Sequence, residues 1–92
     1  MIKTVSQEWA DRLEALQYEV FARGDIISRM IANNFSTNTD SYDRYHKEYM
    51  EFYRQYEEAK EEFAKEYIYT ETNGKKVDWN LDFSTLEVTF NK

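Results

Sequence analysis

From Tyr42 to Phe63 the residues Tyr42, Tyr45, Tyr49, Phe52, Tyr56, Ala59 and Phe63 step by three and four without a break. That step keeps all of them on one stripe of an α-helix, and a stripe held for about three heptads demands a facing surface of similar length. A helix over about 40–66 follows, and it needs a neighbour. Upstream, Trp9, Leu13, Leu16, Val20, Ile27, Met30 and Ile31 fall three, four or seven apart, which predicts a first helix over about 5–33. Thr4 with Gln7 reads as its capping box, and Glu8 and Asp11 favour the positive end of its dipole. Gly24 lies inside the pattern at a cost of about 1 kcal/mol relative to Ala. A kink would explain it, but close approach of a bulky partner side chain explains it better.

The run Asn33-Asn34-Phe35-Ser36-Thr37-Asn38-Thr39 separates the two stripes. Asn tolerates the left-handed position that ends a helix, and Ser, Thr and Asn supply the next cap. Phe35 is expected to fold back onto that end of the hairpin. So short a loop makes the helices antiparallel neighbours. With its centre near Thr37, Gly24 faces Tyr49, Leu16 faces Tyr56 and Trp9 faces Phe63.

After Tyr67 the pattern changes to period two. Tyr67-Ile68-Tyr69-Thr70-Glu71 is β-prone, and Asn73-Gly74 is the strongest short hairpin signal. A two-residue loop there pairs Glu71 with Lys76, Thr70 with Val77 and Ile68 with Trp79. Val77, Trp79, Leu81 and Phe83 then share one face, with Lys76, Asp78, Asn80 and Asp82 on the other. The parity flips after Phe83, because Leu86, Val88 and Phe90 form the next apolar set, so Ser84-Thr85 marks a tight turn or a bulge. The expectation is an α+β domain over residues 1–92: a long antiparallel helical hairpin, then a three-stranded antiparallel β-meander with strands near 67–72, 75–83 and 86–91.

Composition narrows the function classes. The chain of 92 residues has no Cys, which removes disulfides, zinc–thiolate sites and thiol nucleophiles. A net charge of -6 argues against direct nucleic-acid binding, which runs on Lys and Arg. No apolar run is long enough for a membrane span, and the first residues lack the apolar core of a signal peptide, so a cytoplasmic location is expected. An aromatic fraction of 17% separates the chain from disordered acidic sequences, which are aromatic-poor.

Few residues point to bond-making chemistry. His46, the only histidine, stands three residues after Asp43, which is half of a helical carboxylate–histidine metal motif. The other half would need inward carboxylates, and Glu14 and Glu19 lie off the first helix's apolar stripe. A surface imidazole stacked on Tyr42, Tyr49 or Tyr53 is the plainer reading. Glu57, Glu58, Glu61 and Glu62 form an acidic run beside Lys60 and Lys65. It reads as a solvated helix face, with Glu61 and Lys65 at i,i+4 spacing. No catalytic residue, metal or cofactor is expected.

The tyrosines are the informative departure. Of eight, five lie on the second helix: Tyr42, Tyr45, Tyr49 and Tyr56 along the seam and Tyr53 beside it. A plain core would use Leu. Tyrosine buries area while keeping a hydroxyl near water, which suits either a boundary layer within the monomer or a face that receives another chain. A second copy closing a four-helix bundle would be one such chain. Leu86, Val88 and Phe90, at the end of the expected meander, form an apolar strand that an incoming peptide could pair with.

Tyr42 to Tyr56, read with Trp79-Asn80-Leu81-Asp82-Phe83-Ser84-Thr85-Leu86-Glu87-Val88-Thr89-Phe90, resembles small accessory proteins of ribosomal-peptide modification gene clusters, which stand beside a radical-type maturase. The resemblance covers about half of the chain and carries no catalytic motif. It implies a noncatalytic partner of the maturase or of its precursor peptide, and no functional residue transfers. The helices-first order departs from the winged-helix leader-binding module of such clusters, so that module's groove does not carry over. The expected function is an accessory or adaptor protein binding a partner protein or peptide through Tyr42, Tyr45, Tyr49, Tyr53 and Tyr56 and the strand of Leu86, Val88 and Phe90. The alternative is an acidic, phage-type inhibitor that blocks a nucleic-acid site on a host enzyme.

Overall fold

The computed structural model describes residues 1–32 and 40–91. The expected α+β class is observed, with a helical hairpin and a three-stranded antiparallel sheet. The elements are β1 (Ile2–Thr4), α1 (Gln7–Ala32), α2 (Asp40–Tyr67), β2 (Trp79–Asp82) and β3 (Glu87–Phe90). The sheet order is β1-β3-β2. The expected loop caps and the placement of Phe35 lie outside the described residues.

Two compact units share the helices. The first comprises Met1–Glu14 and Glu58–Lys92. Its centre is Phe63, whose side chain is fully buried. The Phe63 ring lies 5.7 Å from Trp9, 5.0 Å from Tyr67 and 5.0 Å from Trp79, centroid to centroid. Val5, Ala10, Leu13, Ala59, Ala64, Ile68, Val88 and Phe90 complete the core of this unit. Helix, helix and sheet are thus held by one aromatic cluster, with an expected gain of about 0.5–1.5 kcal/mol per ring pair beyond the area buried.

The second unit is Ala15–Glu57. Here the inference about Gly24 holds: a Cβ built on it would stand 3.3 Å from Tyr49 Cε2, so the glycine makes room for the tyrosine ring. Arg23 crosses between the same helices. Its guanidinium lies 4.1 Å from the Phe52 ring centroid, pairs with Glu19 on its own helix and has Nε 3.8 Å from Glu48. Together with Trp9 against Phe63 in the first unit, these contacts establish the antiparallel pairing.

The sheet's membership differs from the expectation. Residues 67–72 are not a strand. The α-helix runs to Tyr67, and Ile68 and Tyr69 both donate backbone N–H to Ala64 O at 2.8 Å. Continuing the helical turn carries Ile68 into complete burial beside Ala64, and that outweighs the β preference of an isolated Tyr-Ile-Tyr. Asn73 and Gly74 do adopt positive φ, 56° and 82°. Their turn closes the helix end, with Gly74 N donating to Tyr69 O at 2.8 Å, and does not join two strands. The expected partners part accordingly: Glu71 pairs with Lys3, and Lys76 with Glu61.

The third strand is the N-terminal Ile2–Thr4. It pairs with β3 in the register Ile2↔Thr89, Lys3↔Val88, Thr4↔Glu87. Phe90 N donates to Met1 O, and Val5 N donates to Leu86 O. Thr4 therefore belongs to a strand and cannot cap the helix. Ser6 does so: its Oγ accepts from Trp9 N at 3.2 Å, and its backbone oxygen accepts from Ala10 N.

β2 and β3 are joined where the parity flip demanded a turn. Asp82 Oδ1 accepts from Ser84 Oγ at 2.6 Å, Ser84 N at 2.9 Å and Thr85 N at 3.2 Å. Leu86 leaves the turn at φ 59°, a left-handed conformation that costs a non-glycine residue about 1–2 kcal/mol. Beyond it Trp79 faces Phe90 and Leu81 faces Val88.

Two outcomes test this fold. Gly24→Ala trades a helix-propensity gain of about 1 kcal/mol against the Tyr49 ring, so it should leave stability nearly unchanged. In a Tyr49→Ala background the same change should stabilise by about 1 kcal/mol in urea unfolding; equal effects in the two backgrounds would exclude the close approach. The Ser84 hydroxyl and the Ser84 and Thr85 amides hold the Asp82 carboxyl below the ordinary 3.8. Its stabilising effect is therefore full above that value and disappears as pH falls through the lower, folded-state value. The stability gap between wild type and Asp82→Ala should be flat near neutrality and shrink below about pH 4. A gap that stays constant into strong acid would show that the carboxylate does not hold this turn.

Candidate functional surface

Each unit offers one surface. In Ala15–Glu57 the seam tyrosines Tyr42, Tyr45, Tyr49 and Tyr56 are half-buried, so they are boundary residues and not an open face. Tyr53 is exposed, its ring 6.0 Å from Tyr49. His46 stacks on Tyr42 at 5.9 Å with the rings 22° from parallel, as the plainer reading of that residue required. The Arg44 guanidinium lies 5.2 Å from the Tyr45 centroid. Glu51 accepts from Arg54 and Gln55, and these bonds hold its carboxyl below the usual glutamate range.

Sequence reasoning missed the most exposed apolar side chains of this unit. Tyr18 retains 70% of its accessible surface and Phe21 64%, both on α1 and off its buried stripe. Ile26, Ile31 and Met50 are exposed as well. The signal in the sequence is an aromatic pair at i,i+3 that lies off the core stripe. Against this display, Val20 and Met30 are the buried apolar side chains described in the unit. Two adjacent helices cannot enclose a core of their own, and large apolar groups are left in water.

In the first unit, Leu86, Val88 and Phe90 are not an edge. β3 is the central strand, Val88 and Phe90 are buried and Leu86 is half-buried. Docking of Ile2–Thr4 on that side removed the free edge, so these residues belong to the core and cannot receive an incoming strand. The open edges are β1 and β2.

The acidic run on α2 is divided between partners. Glu62 pairs with Arg12 at 3.3 Å, and Glu61 lies 3.7 Å from Lys76. Glu61 also accepts from the Tyr69 hydroxyl at 3.3 Å. Burial, with the Glu61 charge beside it, raises the Tyr69 phenol. Among the described residues no three His, Asp or Glu side chains are grouped to hold a metal ion. No helix among them is long and apolar enough to cross a membrane.

Comparison with protein-family models finds none that matches, and comparisons with curated proteins and with solved structures find no match either.

Chemical unfolding should separate surface from core. Tyr18→Gln and Phe21→Gln are expected to change stability by no more than about 0.5 kcal/mol. Phe90→Ala should cost about 3–5 kcal/mol. A comparable loss at Phe21 would place its ring in a packed layer and remove it from any docking surface.

Proposed function

We propose that this protein is a noncatalytic accessory or adaptor protein that binds a partner protein or peptide through the aromatic helical surface of Ala15–Glu57. A strand edge of the first unit serves as a second contact. In line with the resemblance, the partner is a peptide-modifying maturase or its precursor, acting in the cytoplasm. The observation that supports this is the solvent exposure of Tyr18, Phe21, Met50 and Tyr53 in a unit with so little buried apolar area. Aromatic side chains of this kind supply large contact area at low entropic cost and dominate binding energies where they fill pockets.

The test is a titration of the cross-linked and identified partner against variants that keep the fold. Tyr53→Ala or Tyr18→Ala should each weaken binding by about thirtyfold if the ring is an anchor, equivalent to about 2 kcal/mol. Affinity should respond weakly to ionic strength. Unchanged affinity in every exposed-aromatic variant would remove the proposal. Steep weakening with salt, together with competition by nucleic acid, would favour the acidic-inhibitor alternative.

A further inference from the structure

The ladder geometry singles out one edge of the sheet. Phe90 exchanges both backbone bonds with Met1, its N–H to Met1 O at 2.9 Å and its C=O from the Met1 amino group at 2.6 Å. Val5 N donates to Leu86 O. The polar backbone groups of Leu86, Val88 and Phe90 therefore point toward β1, because bonding direction alternates along a strand. Those of Glu87 and Thr89 point the other way, to their partners Asp82 and Asn80 on β2. Trp79 and Leu81, between and beside those partners, must then aim their own N–H and C=O outward. Among the described residues no backbone or side-chain bond reaches them from that side.

The two faces flanking this row differ in chemistry. Trp79 and Leu81 carry half-buried apolar side chains on the core face, continuous with Phe90 and Val88. The opposite face holds Asp78, Asn80 and Asp82, all exposed, with Glu87 on the neighbouring strand. Lys76 is directed to Glu61, and among the described residues no cation pairs with Asp78, Asp82 or Glu87. An added strand thus meets hydrogen-bonding groups in its plane, apolar side chains on one face and unneutralised carboxylates on the other.

From this we infer that the β2 edge binds an extended basic segment of a partner chain, which adds antiparallel as a fourth strand. Its recognition pattern is basic–apolar–polar–apolar–basic. The two basic residues, four apart, stand opposite Asp82 and Asp78. The apolar residues stand beside Leu81 and Trp79, and the central polar residue opposite Asn80. Directly opposed opposite charges favour such a strand, and like charges there oppose an acidic one. The inference rests on the adaptor reading and gives its second contact a ligand chemistry.

The probe is a capped synthetic peptide centred on Lys-Val-Thr-Val-Lys, titrated into the labelled full chain and followed by amide NMR. Saturable shifts should centre on Trp79 and Leu81. Replacing both Lys by Glu should weaken binding at least about tenfold. N-methylation of the peptide amides that face the edge should abolish it. Asp78→Lys, an exposed change next to the paired segment of β2, leaves one site of each sign and should largely remove the preference between the Lys and Glu peptides. A circular-dichroism melt checks that this variant folds.

No saturable shift, shifts centred elsewhere, equal binding of the Lys and Glu peptides, or indifference to Asp78→Lys would each overturn the inference. So would a concentration-dependent dimer that occupies the β2 edge and leaves the peptide without effect. The exposed-aromatic variants read the other surface. If they weaken the whole partner while the peptide does not bind, the edge assignment falls and the adaptor reading stands. If the peptide binds and those variants do nothing, the aromatic surface falls instead.

Discussion

The fully buried ring of Phe63 is the contact on which the first unit depends. It meets Trp9 from α1, Tyr67 from the end of its own helix and Trp79 from β2. Two elements distant in sequence, together with the next turn of its own helix, converge on one side chain, and each presents an aromatic ring. Polar groups at the rim keep the cluster oriented. Trp9 donates its indole N–H to Glu66, the Tyr67 hydroxyl accepts from Ser6 N, and the Lys3 ammonium donates to Tyr67 O. A large aromatic can be buried here because its polar neighbours each have a partner.

Convergence on Phe63 also explains why the two units differ. Where the sheet covers the hairpin, the core closes and Leu13, Ile68, Val88 and Phe90 are buried. In Ala15–Glu57, among the described residues, Val20 and Met30 are the buried apolar side chains. The seam tyrosines of this unit are half-covered, and Tyr18, Phe21 and Tyr53 are left in water. Arg23 shows the same compromise at the level of one side chain. Its guanidinium lies over Phe52 and pairs with Glu19, yet its Nε is buried without a hydrogen-bond partner. An exposed aromatic surface of this kind is what the proposed partner contact would cover.

Charge and exposure are divided in a way that fits two kinds of contact. The exposed aromatics fall in the helical unit, where Arg29 with Asp25 and Arg54 with Glu51 interleave the two signs. The sheet's outer face carries Asp78, Asp82 and Glu87 without a cation among the described residues. One surface is suited to shape and apolar burial, the other to backbone pairing with electrostatic selection.

Local pattern was enough to read both helices, their antiparallel pairing, the facing of Gly24 with Tyr49 and Trp9 with Phe63, and the turn at Ser84-Thr85. These follow from side-chain periodicity within each helix, from the shortness of the connecting loop and from the room one glycine leaves. The identity of the third strand was not legible. Ile2–Thr4 is too short to announce itself, and its partner lies at the other end of the chain, so only the closed ladder with β3 reveals it. That one long-range pairing made β3 the central strand and left β1 and β2 as the open edges. Periodicity reports which face of an element seeks burial, but which element arrives to cover it is a property of the assembled fold.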